Sequence, residues 1–179
     1  YCQVSRQSDD KKKYDMSKEI ASSSIDLALK SPSKNIKIEF QGGESLLNFD
    51  LIKYIVHETK SRNINKNIGF VIATNLAVVT KEILEFCLTH DIHISTSLDG
   101  PKNLHNANRP RPGKNSYEKT VEGIKLTRDI LGFDKVNALM TTTEASLSFP
   151  HEIIDEYLLQ NFSGIFLRPL SPYGFAIKT

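Results

Sequence analysis

The chain has 179 residues, is 39% hydrophobic and 25% charged, and carries a formal net charge of +2. That composition describes an ordinary soluble globular domain with a sizeable core, and so small a charge gives no electrostatic ground for a nucleic-acid or membrane-surface partner. No apolar stretch is long enough to cross a bilayer, no signal peptide is recognisable, and two cysteines, Cys2 and Cys87, are too few for a disulfide framework, all of which fits a reducing cytoplasm.

Strands and helices alternate along the sequence. The basic run Lys11-Lys12-Lys13 reads as a solvated approach to a helix over Asp15–Leu29, closed by Ser31-Pro32. Ile36–Phe40 is a short β-prone run that ends at Gly42-Gly43. Leu46–Thr59 has helical periodicity, with Leu47, Leu51, Tyr54 and Ile55 on one face. Ile68–Thr74 is a nearly continuous apolar strand. Thr80 caps a helix over Lys81–Thr89 that turns Ile83, Leu84 and Cys87 inward. Ile92–Leu98 alternates and stops at Asp99-Gly100-Pro101. A polar loop is expected from Lys102 to about Ser116, then a helix over Tyr117–Leu131 broken at Gly132. Val136–Thr143 is a strand, Pro150 opens a helix to about Asn161, and Ile165–Leu167 begins a last strand stopped by Pro169. The chain begins with Tyr1 and ends with Thr179, a few residues past that strand, so residues 1–179 are expected to form a single partial domain cut at both ends.

This alternation implies βαβ units and a parallel sheet with right-handed crossovers. An open doubly wound sheet fits the same pattern, but the polar residues favour a barrel or partial barrel. In such barrels the active site gathers at the carboxyl ends of the strands. Here those ends carry Gln41-Gly42-Gly43-Glu44, Thr74-Asn75, Ser95, Ser97 and Asp99, Thr141-Thr142-Thr143, and Arg168 with Ser171. One polar exit is a turn; polar residues at five exits suggest a shared site on one rim.

Three stretches could carry chemistry. Gly42 and Gly43 let the backbone approach a ligand and offer carbonyls to a cation such as an ammonium, with Glu44 adding negative charge. The same residues also fit a tight turn with Glu44 at a helix start, and these four residues alone do not choose. Ser97 and Asp99, two apart, would share one face of a strand and suit a ribose or another polyol; an Asp-Gly turn is the alternative. Arg109 and Arg111 alternate with Pro110 and Pro112 in a stiffened loop, which would hold an arginine ready for a carboxylate. Cys87 reads as a buried core thiol, and the histidines show no metal-ligand spacing.

Taken in order, these motifs resemble the radical S-adenosylmethionine (SAM) superfamily, in its branch of peptide and protein maturases that includes the anaerobic sulfatase-maturing enzymes. Tyr1-Cys2 is similar to the end of the family's Cys-x3-Cys-x2-Cys loop. Gly42-Gly43-Glu44, Thr74-Asn75, Ser97-Leu98-Asp99-Gly100-Pro101 and Asn108-Arg109 follow at family-like distances. Within the branch, the stretches from Tyr1 to Gln7, Ile38 to Glu44, His105 to Gly113 and Leu167 to Gly174 are similar to the His-Xaa-Ser system maturases. The resemblance implies an incomplete parallel (β/α)6 partial TIM barrel, lacking the first strand and most of the cluster loop.

It also implies roles. Cys2 would ligate one iron of a [4Fe–4S] cluster. Gly42, Gly43 and Glu44, with Gln41 beside them, would hold the SAM amino group. Arg109 would pair with the SAM carboxylate. Ser97, Asn75 and Asp99 would face the ribose, and Leu170 and Tyr1 would lie near the adenine. One electron, from a donor such as flavodoxin or ferredoxin, would cleave SAM to methionine and a 5′-deoxyadenosyl radical, which would abstract hydrogen from a peptide or protein substrate.

Two departures stand out. Ser45 replaces the proline that usually ends Gly-Gly-Glu-Pro, which would loosen the turn. The first two cluster cysteines are absent, and one thiolate cannot hold such a cluster, so the 179-residue polypeptide alone is expected to be inactive. Auxiliary clusters would belong to a C-terminal region outside this sequence. The competing readings are a catalytically silent barrel that binds peptides and a metal-free barrel lyase or aldolase. The latter would want a Schiff-base lysine at a strand exit, whereas Lys37 lies mid-strand.

Overall fold

The computed structural model describes residues 10–171 and residue 176. A four-residue helix, α1 (Lys11–Tyr14), precedes α2 (Lys18–Leu29). The alternation then runs β1 (Asn35–Phe40), α3 (Phe49–Arg62), β2 (Asn67–Thr74), α4 (Lys81–His90) and β3 (Ile92–Ser97). Two helices follow, α5 (Lys102–Asn108) and α6 (Ser116–Leu131), then β4 (Val136–Thr142), α7 (Pro150–Leu159) and β5 (Phe166–Pro169).

Local chemistry explains most boundaries. The Ser17 hydroxyl accepts the Ile20 N–H and starts α2 three residues later than the sequence suggested. Thr80 caps α4 in the same way through the Ile83 N–H. Pro150 occupies the first turn of α7, where its missing N–H costs no hydrogen bond. The segment Lys102–Asn108, expected as loop, is helical. Its seven residues are too short to show periodicity, and it is anchored by buried Leu104, His105 and Asn108.

All five strands are parallel and lie in chain order, β1-β2-β3-β4-β5. Consecutive order is the pattern of a barrel; a doubly wound sheet reverses direction at a switch point. The sheet curls into a half-barrel. Arg168 on β5 acts electrostatically on Glu39 on β1, although these are the two edge strands.

The two faces of the sheet differ sharply. Phe40, Phe70, Ile72, Ile92, Ile94, Val136, Ala138 and Met140 are buried against the helices. The intervening residues line the concave face, as the two-residue strand period requires. There, in register, lie Val71 beside His93, and Ala73 beside Ser95 beside Asn137. Lys37, Glu39 and Arg168 flank this face on the edge strands. Because every strand runs the same way, all five exits lie on one rim. No described helix is long and apolar enough to cross a membrane.

Candidate functional site at the strand exits

The first part of the rim is the β1–β2 exit. After Phe40 the chain turns through Gln41, Gly42 and Gly43, all exposed. A methyl group added at Gly42 or Gly43 would meet nothing within 4 Å, so these glycines border open space. Glu44 turns the other way and bridges the two exits. Its Oε1 accepts the Thr74 hydroxyl at 2.6 Å and the Leu46 N–H at 3.2 Å, and its Oε2 accepts the Asn75 N–H at 2.9 Å. A carboxylate offers roughly four acceptor sites, and three of them are taken among the described residues. Ser45 tightens this turn where loosening was expected, because its hydroxyl donates to the Ala73 carbonyl at 2.6 Å, a bond proline could not make. Gln41 donates to Glu39, which also pairs with Lys37 at 3.0 Å. The Lys37 contact, more than the one from Gln41, holds the Glu39 carboxyl below its ordinary range.

Asn75 belongs to the same exit. Its side-chain oxygen accepts the Ala77 N–H at 2.8 Å, and its carbonyl accepts the Thr120 hydroxyl at 3.2 Å. The first bond shapes the turn after β2, and the second ties it to α6.

The second part is the β3–β4 exit. Ser97 is half-buried on the concave face, opposite Leu139, and its hydroxyl takes no hydrogen bond among the described residues. Asp99 was expected on the same face, but β3 ends at Ser97 and the chain turns before Asp99. The Asp99 side chain is 0% exposed and its carboxylate is held inside the protein. Arg109 donates Nε to Oδ2 at 2.8 Å and a terminal nitrogen to Oδ1 at 3.1 Å. The Thr141 N–H also donates to Oδ1, at 3.1 Å. Asp99 thus lies beneath the rim and off the face that carries Ser97, engaged with Arg109 and the Thr141 N–H.

His105, which the sequence offered no reason to single out, completes this arrangement. Its Nδ1 accepts the Asp99 N–H at 3.2 Å. Nδ1 is therefore unprotonated, and burial lowers the imidazole pKa to about 4. The ring stands edge-on to Tyr117, centroids 6.0 Å apart. Burial, more than its bond to Glu156, raises the Tyr117 hydroxyl to about 12. The four-residue spacing of His105 and Arg109, one on α5 and one at its C-terminal cap, is the sequence signal that sets them side by side.

Leu170 follows β5 and is half-buried. Tyr1 and Cys2, together with Pro172, Tyr173 and Gly174, lie outside the described residues. Cys87 packs in the core at 0% exposure, and burial raises its thiol to about 12. It is in no position to ligate a cluster.

A parallel half-barrel with polar exits on one rim is the scaffold of a barrel enzyme with its site at the strand ends. The model of the radical SAM superfamily matches residues 1–144, and the chain belongs to that superfamily. Membership brings a [4Fe–4S] cluster and SAM as cofactors. Among curated proteins, an uncharacterised protein of Methanocaldococcus jannaschii is 37% identical over 111 residues, covering 62% of this chain and 37% of its own. The radical SAM cyclopropyl synthase TigE of Paramaledivibacter caminithermalis is 24% identical over 139 residues, covering 78% of this chain and 28% of its own. Among solved structures, the anaerobic sulfatase-maturing enzyme anSMEcpe with bound AdoMet superposes with a TM-score of 0.79 at 20% identity, over 88% of this chain and 44% of that one. Its complex with AdoMet and the Kp18Cys peptide gives 0.80. The chain thus spans 28% to 37% of the length of these two curated relatives.

The described rim fits SAM as a ligand. Open space borders the diglycine turn, one acceptor site on Glu44 and the Ser97 hydroxyl take no partner among the described residues, and an arginine stands beyond the β3 exit.

Proposed function

We propose that this chain forms the SAM-binding core of a radical SAM maturase that modifies a peptide or protein. The observation that carries the reading is the rim itself, where a diglycine turn, a bridging glutamate, a hydroxyl and an oriented arginine stand at consecutive parallel strand exits. In this reading Gly42 and Gly43 offer carbonyls to the SAM ammonium, with Gln41 beside them and Glu44 providing negative charge. Arg109 takes the carboxylate. Ser97 and Asn75 face the ribose, and Leu170 and Tyr1 border the adenine. Cys2 contributes one thiolate to the cluster.

Bound there, SAM and the reduced cluster supply one-electron chemistry that removes a hydrogen atom from the substrate. The chain's own share is to orient SAM and to exclude water. A one-electron donor such as flavodoxin or ferredoxin would serve the cluster. The concave face supports a peptide substrate, since the small residues Gly69, Ala73, Ser95 and Ser97 leave room along it beside Val71 and His93, between charged edges at Lys37, Glu39 and Arg168. One solved neighbour holds a peptide together with AdoMet, which supports the same class.

The test is made on the full-length protein, reconstituted anaerobically with iron and sulfide. Added reductant and SAM should give 5′-deoxyadenosine, and replacing Cys2 with alanine should abolish it. Absence of 5′-deoxyadenosine from a protein with a full, reducible cluster would overturn the reading.

A further inference from the structure

Asp99 is a fully buried acid at a strand exit, and its carboxylate is engaged by Arg109 and the Thr141 N–H. Burying a carboxylate costs several kcal/mol unless its partners are well placed, and an apolar replacement of a buried ion pair is often no less stable. Stability alone is therefore a weak reason for this pair. Its surroundings are unusually well fixed. The Tyr157 hydroxyl donates to the Leu98 carbonyl at 2.7 Å, and the Asp99 N–H is held by His105. Gly100 turns the chain at φ +123°, and the Thr141 N–H ties the carboxylate to β4. Residues 98–100 are thus pinned by α5, β4 and α7. From this anchored point Asp99 grips one edge of the Arg109 guanidinium with two bonds, while 23% of the Arg109 side chain stays exposed.

The geometry points to Asp99 as a positioning residue: it fixes the guanidinium of Arg109 edge-on, so that a second carboxylate, that of SAM, is received at an already oriented fork. This inference rests on the reading of Arg109 as the SAM-carboxylate group. Two effects of Asp99 oppose each other. Its charge offsets that of Arg109 and weakens attraction for a second carboxylate. Its grip removes the rotamer freedom that a long arginine would otherwise lose on binding. The pair is built as a bidentate fork on a rigid base, so orientation outweighs charge. Removing the grip should then weaken SAM binding, whereas a purely electrostatic role predicts tighter binding.

The experiment measures SAM and decarboxylated SAM affinities by anaerobic titration of the reconstituted full-length protein. Asp99→Asn should weaken SAM on the order of tenfold and leave decarboxylated SAM within about twofold. Arg109→Lys keeps the charge but loses the fork, so it should reproduce the loss. Adding Asp99→Asn to it should cost little more, as expected for two residues acting as one unit. The hydroxyl of Tyr157 bonds the Leu98 carbonyl, so Tyr157→Phe loosens the same strand exit while the Asp99–Arg109 bonds remain, and it should leave both affinities unchanged. Unchanged or tighter SAM binding in Asp99→Asn would overturn the proposal, as would an equal loss in Tyr157→Phe. Should Asp99→Asn fail to fold, additive losses in the cycle of Arg109→Lys with Asp99→Glu would overturn it. Arg109→Ala separates the two readings. If it leaves SAM affinity intact, the carboxylate assignment falls and takes the proposal with it. If it weakens SAM while Asp99→Asn does not, the assignment stands and the positioning role alone is lost.

Discussion

The two parts of the rim are built on opposite principles. At the β1–β2 exit the backbone is open, since Gly42 and Gly43 have free space where a side chain would be. At the β3–β4 exit the groups beneath the rim are closed in. A buried carboxylate, a paired guanidinium and a neutral histidine interlock, and a methyl group at Gly100 would come within 2.7 Å of Ile153. The open part can be shaped by what binds there, while the closed part holds its shape in advance. Stability and ligand affinity should therefore respond to different residues.

Breaking the closed part should have the largest effect on stability. Asp99→Ala leaves Arg109 without its buried partner and should cost about 4 kcal/mol, read as a fall in denaturant midpoint. A loss below about 1 kcal/mol would show that this exit is not locked. The second effect is one of pH. The folded pKa of His105 is lowered to about 4 from 6.5, so between those values the unfolded chain binds the proton and the native protein does not. Stability from this group is fully present above pH 6.5 and declines as pH falls toward about 4, by up to about 3 kcal/mol. His105→Asn offers an oxygen in place of Nδ1 and does not titrate. The stability difference between wild type and variant should therefore change across that window, and parallel acid limbs would rule the effect out.

Gly100→Ala combines a positive φ with the close approach to Ile153 and should cost about 2 kcal/mol, measured by thermal unfolding. The smallest effect sharpens the contrast. Gly42→Ala should change stability by less than about 0.5 kcal/mol, yet weaken SAM binding, because the added methyl enters the space beside the proposed ammonium site. A large loss of stability there would erase the distinction between the two exits.

Most strands and long helices were legible in the sequence because their apolar residues repeat at strand or helix periods. β1 through β4 fall within about one residue of the expected spans, as the alternation of Ile92, Ile94 and Thr96 against His93, Ser95 and Ser97 shows. The helix Lys102–Asn108 was not legible, since its hold on the fold comes from Leu104, His105 and Asn108 rather than from any repeated pattern. The site divided in the same way. Gly42, Gly43 and Glu44 stand where a turn signal places them. Asp99 stands in the turn that its Asp-Gly signal marks and off the face it was expected to share with Ser97, because a two-residue period holds only while the strand lasts, and the strand stops at Ser97. The bonds from Thr74 to Glu44 and from Thr141 to Asp99 join residues 30 and 42 apart, a distance over which local pattern carries no information.

The unbroken strand order bears on how the chain comes to be folded as well as on its final form. Each strand pairs with the one made just before it, so a nascent chain can add one strand and its helix at a time without waiting for distant sequence. Asp99 and Arg109, only ten residues apart, can meet as soon as α5 has formed. When β4 emerges later, the Thr141 N–H finds a carboxylate already in place. During synthesis the ion pair would thus serve as a docking mark for the next strand, before it has any ligand to orient.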